Sequence, residues 1–499
     1  MGHQQRTGTG MASGLGAARP KLRRLSALPG AAVVAGCVAA TGVAAAEVAD
    51  WEPLDAISDR RLALAWSCAG VVLFGWLLLR RLAHRQRPGF LGPMAVQFYF
   101  LLLFLGVASH SLLRLLADRG VPVAATQTFP DDALVGRAFA LGLLGGAVFA
   151  IGVAVGRTRS GRNRLASDGV VTHDESTIAA LKLLVPITFV VGCLGIAIVT
   201  ASTGRIALFA SNIDDLRYSQ GSGLGYAALL QFELLSCACI ALYVGIVARH
   251  GTPMTWAAIP ASLMLLVVFR VERTPLILTV AFVAVSLMLA GRTVAWRAIV
   301  SWGLALVVLV GGLGVLRLGD GAQQDRRAVA VRPLYDLAPE FREQAFVYDV
   351  YPSSHAYLGV SGLAAVASSI VPSGVLALGG IDKQTIYTDI SRDYSATMRQ
   401  LGYYTISKPL RVGVAGELWG LFGPLGLTLG FLGLGIMVSR ISAIVPRSHL
   451  GRCAMGMAGA LTCFAMVTPL AALAPVSLMI LLPVAAAALL SPRLANRGV

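Results

Sequence analysis

A succession of long apolar segments constrains the fold of this 499-residue chain more than any other feature. Each segment is close to the roughly 20 residues that an α-helix needs to cross a bilayer. The sequence therefore predicts an all-α, polytopic membrane protein with about twelve transmembrane helices. The predicted spans lie at residues 25–46, 62–79, 91–113, 133–156, 178–202, 223–248, 253–269, 274–291, 298–316, 413–437, 453–470 and 474–491.

The loops between these segments alternate in charge. The N-terminal tail and the loops after the second and fourth spans are rich in arginine, whereas the loops after the first and third spans carry several aspartates. Lys and Arg accumulate on the cytoplasmic side of membrane proteins, so both termini are expected in the cytoplasm. The net charge of +16 is then this bias and not a nucleic-acid-binding surface.

Four regions follow from this topology. They are a basic cytoplasmic tail (1–24), nine spans (25–316), a large extracytoplasmic loop (317–412), and three final spans with a short cytoplasmic tail (413–499). The loop contains an apolar piece interrupted by Pro372, which is expected to be a surface-lying or re-entrant helix. The first span also resembles a signal peptide, but the topology is consistent with a retained helix.

All seven cysteines fall within apolar segments, so no disulfide framework is expected. Cys237 and Cys239 are expected to pack in the core. Two intramembrane charges, Arg137 and Glu233, are expected to pair with each other or to face a polar cavity.

The hairpin between the seventh and eighth spans carries Arg270 and Arg273 at its bend. The topology places this bend on the outer face, at the edge of the bilayer, where an uncompensated charge is costly. Two guanidinium groups at such a bend suit a phosphate or pyrophosphate. Alternatively, they extend to lipid head groups.

Glu417, at the start of the tenth span, pairs with an arginine, acts as a base, or is placed there by the helix dipole. His355 is the only histidine of the long loop and is a candidate general base. The same loop interleaves aromatic and charged residues in a way that suits a sugar, although an ordinary solvated loop has similar composition. The candidate glycan-binding residues are Asp389, Arg392, Asp393 and Tyr403, with Arg217 from an earlier outer loop.

Several catalytic motifs are missing from the sequence. It has no Walker A motif, no H-E-x-x-H motif, and no G-x-S-x-G elbow in a strand-turn-helix context. Its acids are not clustered as in metal-dependent sugar transferases. Any glycosyl transfer by this chain is therefore expected to need no metal and no cofactor, and to use a lipid-linked donor.

The segment G-E-L-W-G-L-F-G-P-L-G-L-T-L-G-F-L-G-L-G-I at 416–436 resembles the late-span signature of bacterial Wzy-type O-antigen and oligosaccharide repeat-unit polymerases. The hairpin with Arg270 and Arg273 is similar to the arginine-bearing turn of that family. The stretch I-V-P-S-G-V-L-A-L-G-G-I-D-K-Q-T resembles its Pro-rich, Lys-containing loop segment, except that Gln384 follows Lys383 where the family often has proline. The resemblance covers residues of about 255–440.

This resemblance implies a metal-independent glycosyltransferase in the cytoplasmic membrane that acts on polyprenyl-pyrophosphate-linked oligosaccharides. Arg270, Arg273 and Arg411 would hold the pyrophosphate, and Glu417 or His355 would orient or deprotonate the acceptor hydroxyl. A chain-length regulator and a flippase are the implied partners, and no nucleic acid is expected. The related O-antigen ligases share this architecture, and a twelve-span transporter or flippase of lipid-linked sugars is the alternative class.

Overall fold

The computed structural model describes most of the chain from residue 60 onward. The described ranges are 60–83, 89–121, 131–160, 175–206, 225–270, 274–290, 338–353, 356–371, 373–379, 412–444 and 448–495, with a few isolated positions. Every regular element within these ranges is helical, as the sequence predicts.

The helices are numbered in chain order. They are α1 (Arg60–Ala83), α2 (Leu91–Ala117), α3 (Asp132–Ser160), α4 (Glu175–Thr203), α5 (Gly225–Leu230), α6 (Phe232–Leu242), α7 (Pro253–Arg270), α8 (Thr274–Leu289), α9 (Pro339–Val350), α10 (Gly359–Ser368), α11 (Ser373–Leu378), α12 (Gly413–Ala443), α13 (His449–Ala465) and α14 (Leu470–Ala495). A π-helical turn at Tyr243–Val247 extends α6.

Eight segments of the described chain are long and apolar enough to cross a membrane, which makes the protein a membrane-embedded helical bundle. They are Arg60–Leu82, Leu91–Ala117, Asp132–Arg157, Glu175–Thr203, Ala227–Val247, Pro253–Arg270, Gly413–Ala443 and Leu470–Ala495. Each coincides with a predicted span.

The predicted total of twelve spans is not reached in the described ranges. The eighth and eleventh predicted spans are short helices in the structure, because α8 has 16 residues and α13 has 17. Both occupy predicted spans, 274–291 and 453–470, but are shorter than the eight long segments. The predicted span 25–46 lies outside the described residues, and so does 298–316 apart from positions 301 and 308.

Two apolar cores hold the bundle together. The first is formed mainly by α2, α3, α9 and α12, and its centre contains Tyr99, Phe149 and Phe431. The second is formed by α4, α6, α7, α8, α13 and α14. Helix α8 joins them, because Val285 belongs to the first core and Phe282 to the second.

The bundle has two chemically different ends. At one end Arg60 of α1 binds Asp118 and Asp132, which follow α2 and begin α3. At the other end an Arg157 Nη2 donates to the carbonyl of Gly89 at 2.8 Å, and the Gly89 amide donates to the carbonyl of Ser442 at 2.9 Å. These are called below the Asp132 end and the Arg157 end.

Helix α7 returns from the Arg157 end to the Asp132 end. The hydroxyl of Tyr243, just after α6, lies 2.9 Å from Nδ1 of His449, at the start of α13. Because α13 begins six residues after α12 ends near Ser442, this contact places the end of α6 at the Arg157 end. Helix α7 follows α6 directly, so its last residue, Arg270, lies toward the Asp132 end.

The predicted tenth span, 413–437, is not one continuous helix. Phe422 (φ −139°, ψ 16°) and Gly423 (φ 61°, ψ −138°) leave the helical region, and Pro424 follows. A Cβ on Gly426 would lie within 2.0 Å of the carbonyl oxygen of Leu418, although eight residues of straight helix span about 12 Å. The chain therefore reverses direction, and a half-helix (413–421) packs against a long arm (424–443).

The glycine in this reversal is required for two reasons. Its positive φ is costly for any residue with a side chain, and a Cβ there would lie 2.4 Å from the ring of Tyr357. Proline at the next position suits the start of the long arm, because a first-turn residue has no intrahelical partner for its N–H. The sequence predicts one continuous span here because the segment is apolar on both sides of the break.

The predicted outer loop, 317–412, contains three described helices. Helix α9 is not a solvated loop segment, because it is packed against α2, α3 and α12 with Phe341 in the first core. The apolar piece around Pro372 forms the short helices α10 and α11, with 10 and 6 residues. Neither is long enough to cross a bilayer, in agreement with the prediction that this piece is not a span.

Glycines allow α3 and the long arm of α12 to approach at backbone distance. A Cβ on Gly152 would lie 2.4 Å from the carbonyl oxygen of Leu432, and one on Gly435 would lie 2.4 Å from that of Phe149. Small residues at helix contacts allow close packing in membranes, where burial of apolar surface contributes little.

The described cysteines are all free thiols. They are Cys68, Cys193, Cys237, Cys239, Cys453 and Cys463. The packing role predicted for Cys237 is confirmed, because this residue is buried and its Sγ lies 3.1 Å from the carbonyl oxygen of Val185. Cys37 lies outside the described residues.

Substitution of Gly435 by alanine is expected to lower the stability of the protein by about 1–3 kcal/mol, because the new methyl group displaces backbone atoms of α3. Gly433→Ala is the matched control on the same arm, since no heavy atom lies within 4 Å of its Cβ position. That change is expected to be neutral or stabilising by up to about 1 kcal/mol. Thermal unfolding in detergent measures both, and equal midpoints would contradict the close approach.

Candidate functional site

Three elements meet near the Asp132 end and form the candidate site: the half-helix 413–421, helix α9 and the first turn of α14. The half-helix is buried along its length, with Val412, Val414 and Ala415 fully enclosed. Irregular backbone inside a membrane bundle is tolerated only where protein or a polar cavity surrounds it. The break in α12 therefore marks this region as a place where polar groups have to find partners.

Glu417 connects the half-helix to α14. Its side chain is 0% exposed, and both carboxylate oxygens accept hydrogen bonds from the backbone. Oε2 accepts from the N–H of Leu470, and Oε1 accepts from the N–H of Ala471 at 3.2 Å. The first N–H groups of a helix have no intrahelical partner and carry partial positive charge, so a carboxylate is stabilised there.

This placement bears on the three roles considered for Glu417. Within the described residues its carboxylate pairs with no arginine, Arg270 included, and the helix that it complements is α14 instead of its own. A carboxylate that already accepts two backbone hydrogen bonds is well suited to fixing two helices together. Its role as a base stays a prediction.

Helix α9 packs one face against the half-helix. The ring of Tyr348 meets Trp419 edge-on, with centroids 5.1 Å apart, and the indole N–H of Trp419 donates to the carbonyl of Tyr351 at 2.9 Å. The N–H of Leu358 donates to the carbonyl of Gly420 at 3.0 Å. The chain from α9 to α10 is thus tied to the half-helix along its length. Burial raises the pKa of the Tyr348 phenol, which keeps it protonated at neutral pH.

The opposite face of α9 carries Arg342, the largest fully buried side chain in the described residues at 1% exposure. It lies close enough to His110 of α2 to act on it electrostatically. Nε2 of His110 lies 3.0 Å from Asp132, which also accepts a hydrogen bond from Nε of Arg60 at 2.6 Å. Arg114 approaches the same aspartate at 3.5 Å. A charged network therefore connects α1, α2, α3 and α9.

Arg270 is the last residue of α7 and is 7% exposed. One turn before it, Leu266 packs against Ile196 of α4 and Leu234 of α6. Arg270 therefore lies near the Asp132 end, beside a small apolar cluster formed by α4, α6 and α7. A buried guanidinium at the end of an apolar helix is the geometry expected of an anion-binding group, and also of an arginine with a structural partner.

The other predicted site residues lie outside the described residues. They are Arg217, Arg273, His355, Asp389, Arg392, Asp393, Tyr403 and Arg411. Their assigned roles stay predictions.

The two intramembrane charges, Arg137 and Glu233, are in different surroundings. Arg137 is exposed on α3 and lies near Tyr357, where it opposes the increase in the pKa of the phenol caused by burial. Glu233 is buried in α6. No ion pair joins the two in the described part of the chain, so their predicted pairing is not found there.

Sequence reasoning missed three polar residues of this region: His110, Arg342 and Gln344. His110 had a usable signal, because an ionisable residue inside a predicted span is a functional candidate. Arg342 and Gln344 had none, since they lie in a segment whose composition is that of a polar loop. Only the packing of α9 against the bundle shows that both are buried.

Comparison of the chain with protein-family models, with curated proteins and with solved structures finds no match. Within the described residues, no group of three or more His, Cys, Asp and Glu side chains is arranged to hold a metal ion.

Replacing Glu417 by alanine is expected to reduce the free energy of unfolding by about 2–4 kcal/mol, because two buried N–H groups lose their acceptors. Glu417→Gln keeps one acceptor oxygen and is expected to lose about 1 kcal/mol. Ser448→Ala is the control, since its hydroxyl accepts from Gly451 at the start of α13 and is an ordinary helix cap. Unfolding midpoints in detergent rank the three, and an alanine variant as stable as wild type would contradict the connecting role.

Proposed function

We propose that this protein is a membrane glycosyltransferase that polymerises polyprenyl-pyrophosphate-linked oligosaccharide repeat units into a surface polysaccharide, without a metal ion. The observation that carries the proposal is the buried guanidinium of Arg270 at the end of an apolar helix. An ionisable side chain at such depth in a membrane protein is a candidate for a functional site. A lipid pyrophosphate at the membrane surface is an anion that arginine binds well through paired hydrogen bonds.

The charges at the two ends of the bundle support an orientation for this activity. Arg81, Arg157 and Arg440 lie toward the Arg157 end, whereas Asp118 and Asp132 lie at the other. Basic residues favour the cytoplasmic side. The proposal therefore has both termini in the cytoplasm, the Asp132 end and Arg270 on the outer face of the cytoplasmic membrane, and a flippase and a chain-length regulator as partners.

In the proposed reaction, a hydroxyl of the incoming lipid-linked repeat unit attacks the anomeric carbon of the growing chain. The bond between that carbon and the pyrophosphate oxygen breaks, and the lipid pyrophosphate leaves with the electron pair. Arg270, with Arg273 and Arg411, stabilises the charge that develops on the leaving group. Arg217, Asp389, Arg392, Asp393 and Tyr403 are the proposed contacts to the glycan.

The proton of the attacking hydroxyl passes to a base. Because both oxygens of Glu417 accept backbone hydrogen bonds, we assign the base to His355 and a positioning role to Glu417. The two assignments predict different kinetics. Glu417→Gln would retain most activity if Glu417 only positions the half-helix, whereas removal of the base in His355→Ala would lower the rate by about 100-fold or more.

Two other functions are compatible with the same fold. An O-antigen ligase-like enzyme would transfer the glycan to a lipid anchor by the same chemistry. A transporter or flippase of lipid-linked sugars is favoured by one specific observation, the break in α12 at Phe422 and Gly423, since discontinuous helices are typical of transporter binding sites.

One experiment separates the three functions. Purified protein in nanodiscs is incubated with a polyprenyl-pyrophosphate oligosaccharide and no nucleotide sugar, and the products are separated by length. A ladder of multiples of the repeat unit is expected of the polymerase, and a single transfer to an added lipid acceptor is expected of a ligase. Movement of the substrate across proteoliposomes without elongation would identify a flippase.

In the same assay, Arg270→Ala is expected to lower ladder formation by about 100-fold or more, because a charged hydrogen-bond donor to the leaving group is lost. Arg270→Lys is expected to recover little, since lysine does not reproduce bidentate contact. Arg440→Ala is the control, as this exposed arginine lies at the opposite end of the bundle. A full ladder from Arg270→Ala, with unchanged expression and unfolding midpoint, would exclude the pyrophosphate-binding role.

A further inference from the structure

The N-terminus of the half-helix 413–421 is buried inside the bundle. Its first intrahelical hydrogen bond runs from the N–H of Gly416 to the carbonyl of Val412, at 3.1 Å. The N–H groups of the preceding turn, at Gly413, Val414 and Ala415, have no carbonyl within the helix to bind. They carry the partial positive charge of the helix dipole, in surroundings that exclude water.

A second polar group is directed at this terminus from helix α9. Gln344 is 1% exposed, and neither its Oε1 nor its Nε2 has a hydrogen-bond partner among the residues that the structure describes. Its Nε2 lies 2.9 Å from the position that a Cβ of Gly413 would occupy, so the amide approaches the helix end only because residue 413 is glycine.

These groups have a common chemistry. The backbone N–H groups and the side-chain amide all donate hydrogen bonds, and a buried donor left unsatisfied costs about 1–3 kcal/mol. A ligand with several acceptor oxygens and a negative charge would satisfy them together and would interact favourably with the helix dipole. In membrane proteins, the N-termini of broken helices bind the anionic groups of substrates in this way.

Glu340 is the acidic side chain nearest to the same point. Its Cβ lies 3.8 Å from the Cβ position of Gly413, and the residue is half-buried. An ionised carboxylate there would repel a bound anion. Glu340→Gln and Gln344→Glu each exchange side chains of nearly equal size, and they are expected to shift anion affinity in opposite directions.

We propose that the N-terminus of the half-helix 413–421, together with Gln344 of α9, is a binding site for a phosphate-group oxyanion. The ligand is either a phosphate of the lipid-linked pyrophosphate or a free phosphate-type ion, since both present the same oxygens. The lipid-linked source rests on the function proposed above, whereas the site itself does not.

The test measures binding of two probes, inorganic pyrophosphate and a polyprenyl pyrophosphate, to the full-length protein in nanodiscs by calorimetry. Gln344→Glu is expected to weaken binding about tenfold or more, because it replaces a neutral donor by a negative charge. Glu340→Gln is expected to tighten binding by about threefold or more, because it removes a nearby negative charge. Gln344→Met removes the amide without adding charge and is expected to weaken binding by an intermediate factor.

The matched control is Gln231→Glu, which makes the same chemical change at another glutamine. Gln231 is 2% exposed, lies before α6, and has an Oε1 without a hydrogen-bond partner. The Gln231→Glu variant is expected to bind both probes with the affinity of the wild-type protein. Size-exclusion profiles and unfolding midpoints show which variants are folded. If Gln344→Glu does not fold, Gln344→Met still tests the site.

The possible results each decide the proposal. Binding of either probe that weakens in the folded Gln344 variants supports the site, and binding of the polyprenyl pyrophosphate alone identifies the lipid-linked source. No binding of either probe to wild type, or equal affinity in wild type and the Gln344 variants, overturns it. The ladder assay tests the proposed function separately. A ladder without Gln344-dependent binding rejects the site and retains the polymerase. Gln344-dependent binding without a ladder retains the site and rejects the polymerase.

Discussion

The contact between Glu417 and the first turn of α14 is the interaction on which the arrangement of the site depends. The half-helix belongs to the first core and α14 to the second, so one carboxylate joins the two parts of the bundle. It also satisfies the N–H groups of Leu470 and Ala471 in surroundings from which water is excluded. Inside a membrane an unsatisfied backbone group costs several kcal/mol, so a broken helix is stable only with such partners.

Helix α9 carries buried polar side chains on two faces. One face brings Arg342 to His110 and the Asp132 network. The other brings Gln344 to the start of the half-helix. Helix α9 therefore acts as a polar insert in an otherwise apolar bundle. Its position near the Asp132 end, where Arg270 also lies, places hydrogen-bond donors and positive charge where a lipid-linked phosphate meets the membrane surface in the proposed reaction.

Much of the fold could be predicted because its signal is local. A run of about 20 apolar residues can satisfy its backbone in a bilayer only as a helix, and the eight long segments found in the described ranges coincide with predicted spans. The break in α12 was harder to predict, because glycine and proline also occur inside continuous membrane helices. Tertiary packing decides where α12 breaks, because the chain reverses there and Leu418 packs on Gly426 and Gly430.

The sequence alone determined that this protein is a helical bundle in a membrane, and it singled out Arg270 and Glu417 as charges that need partners. Only the tertiary structure decided the partners of Glu417, because the hydrogen bond between Glu417 and Leu470 joins residues 53 positions apart. It likewise decided that α9 is buried. Its composition is that of a solvated loop, and its place in the core depends on glycines and aromatic rings of other helices that no local pattern specifies.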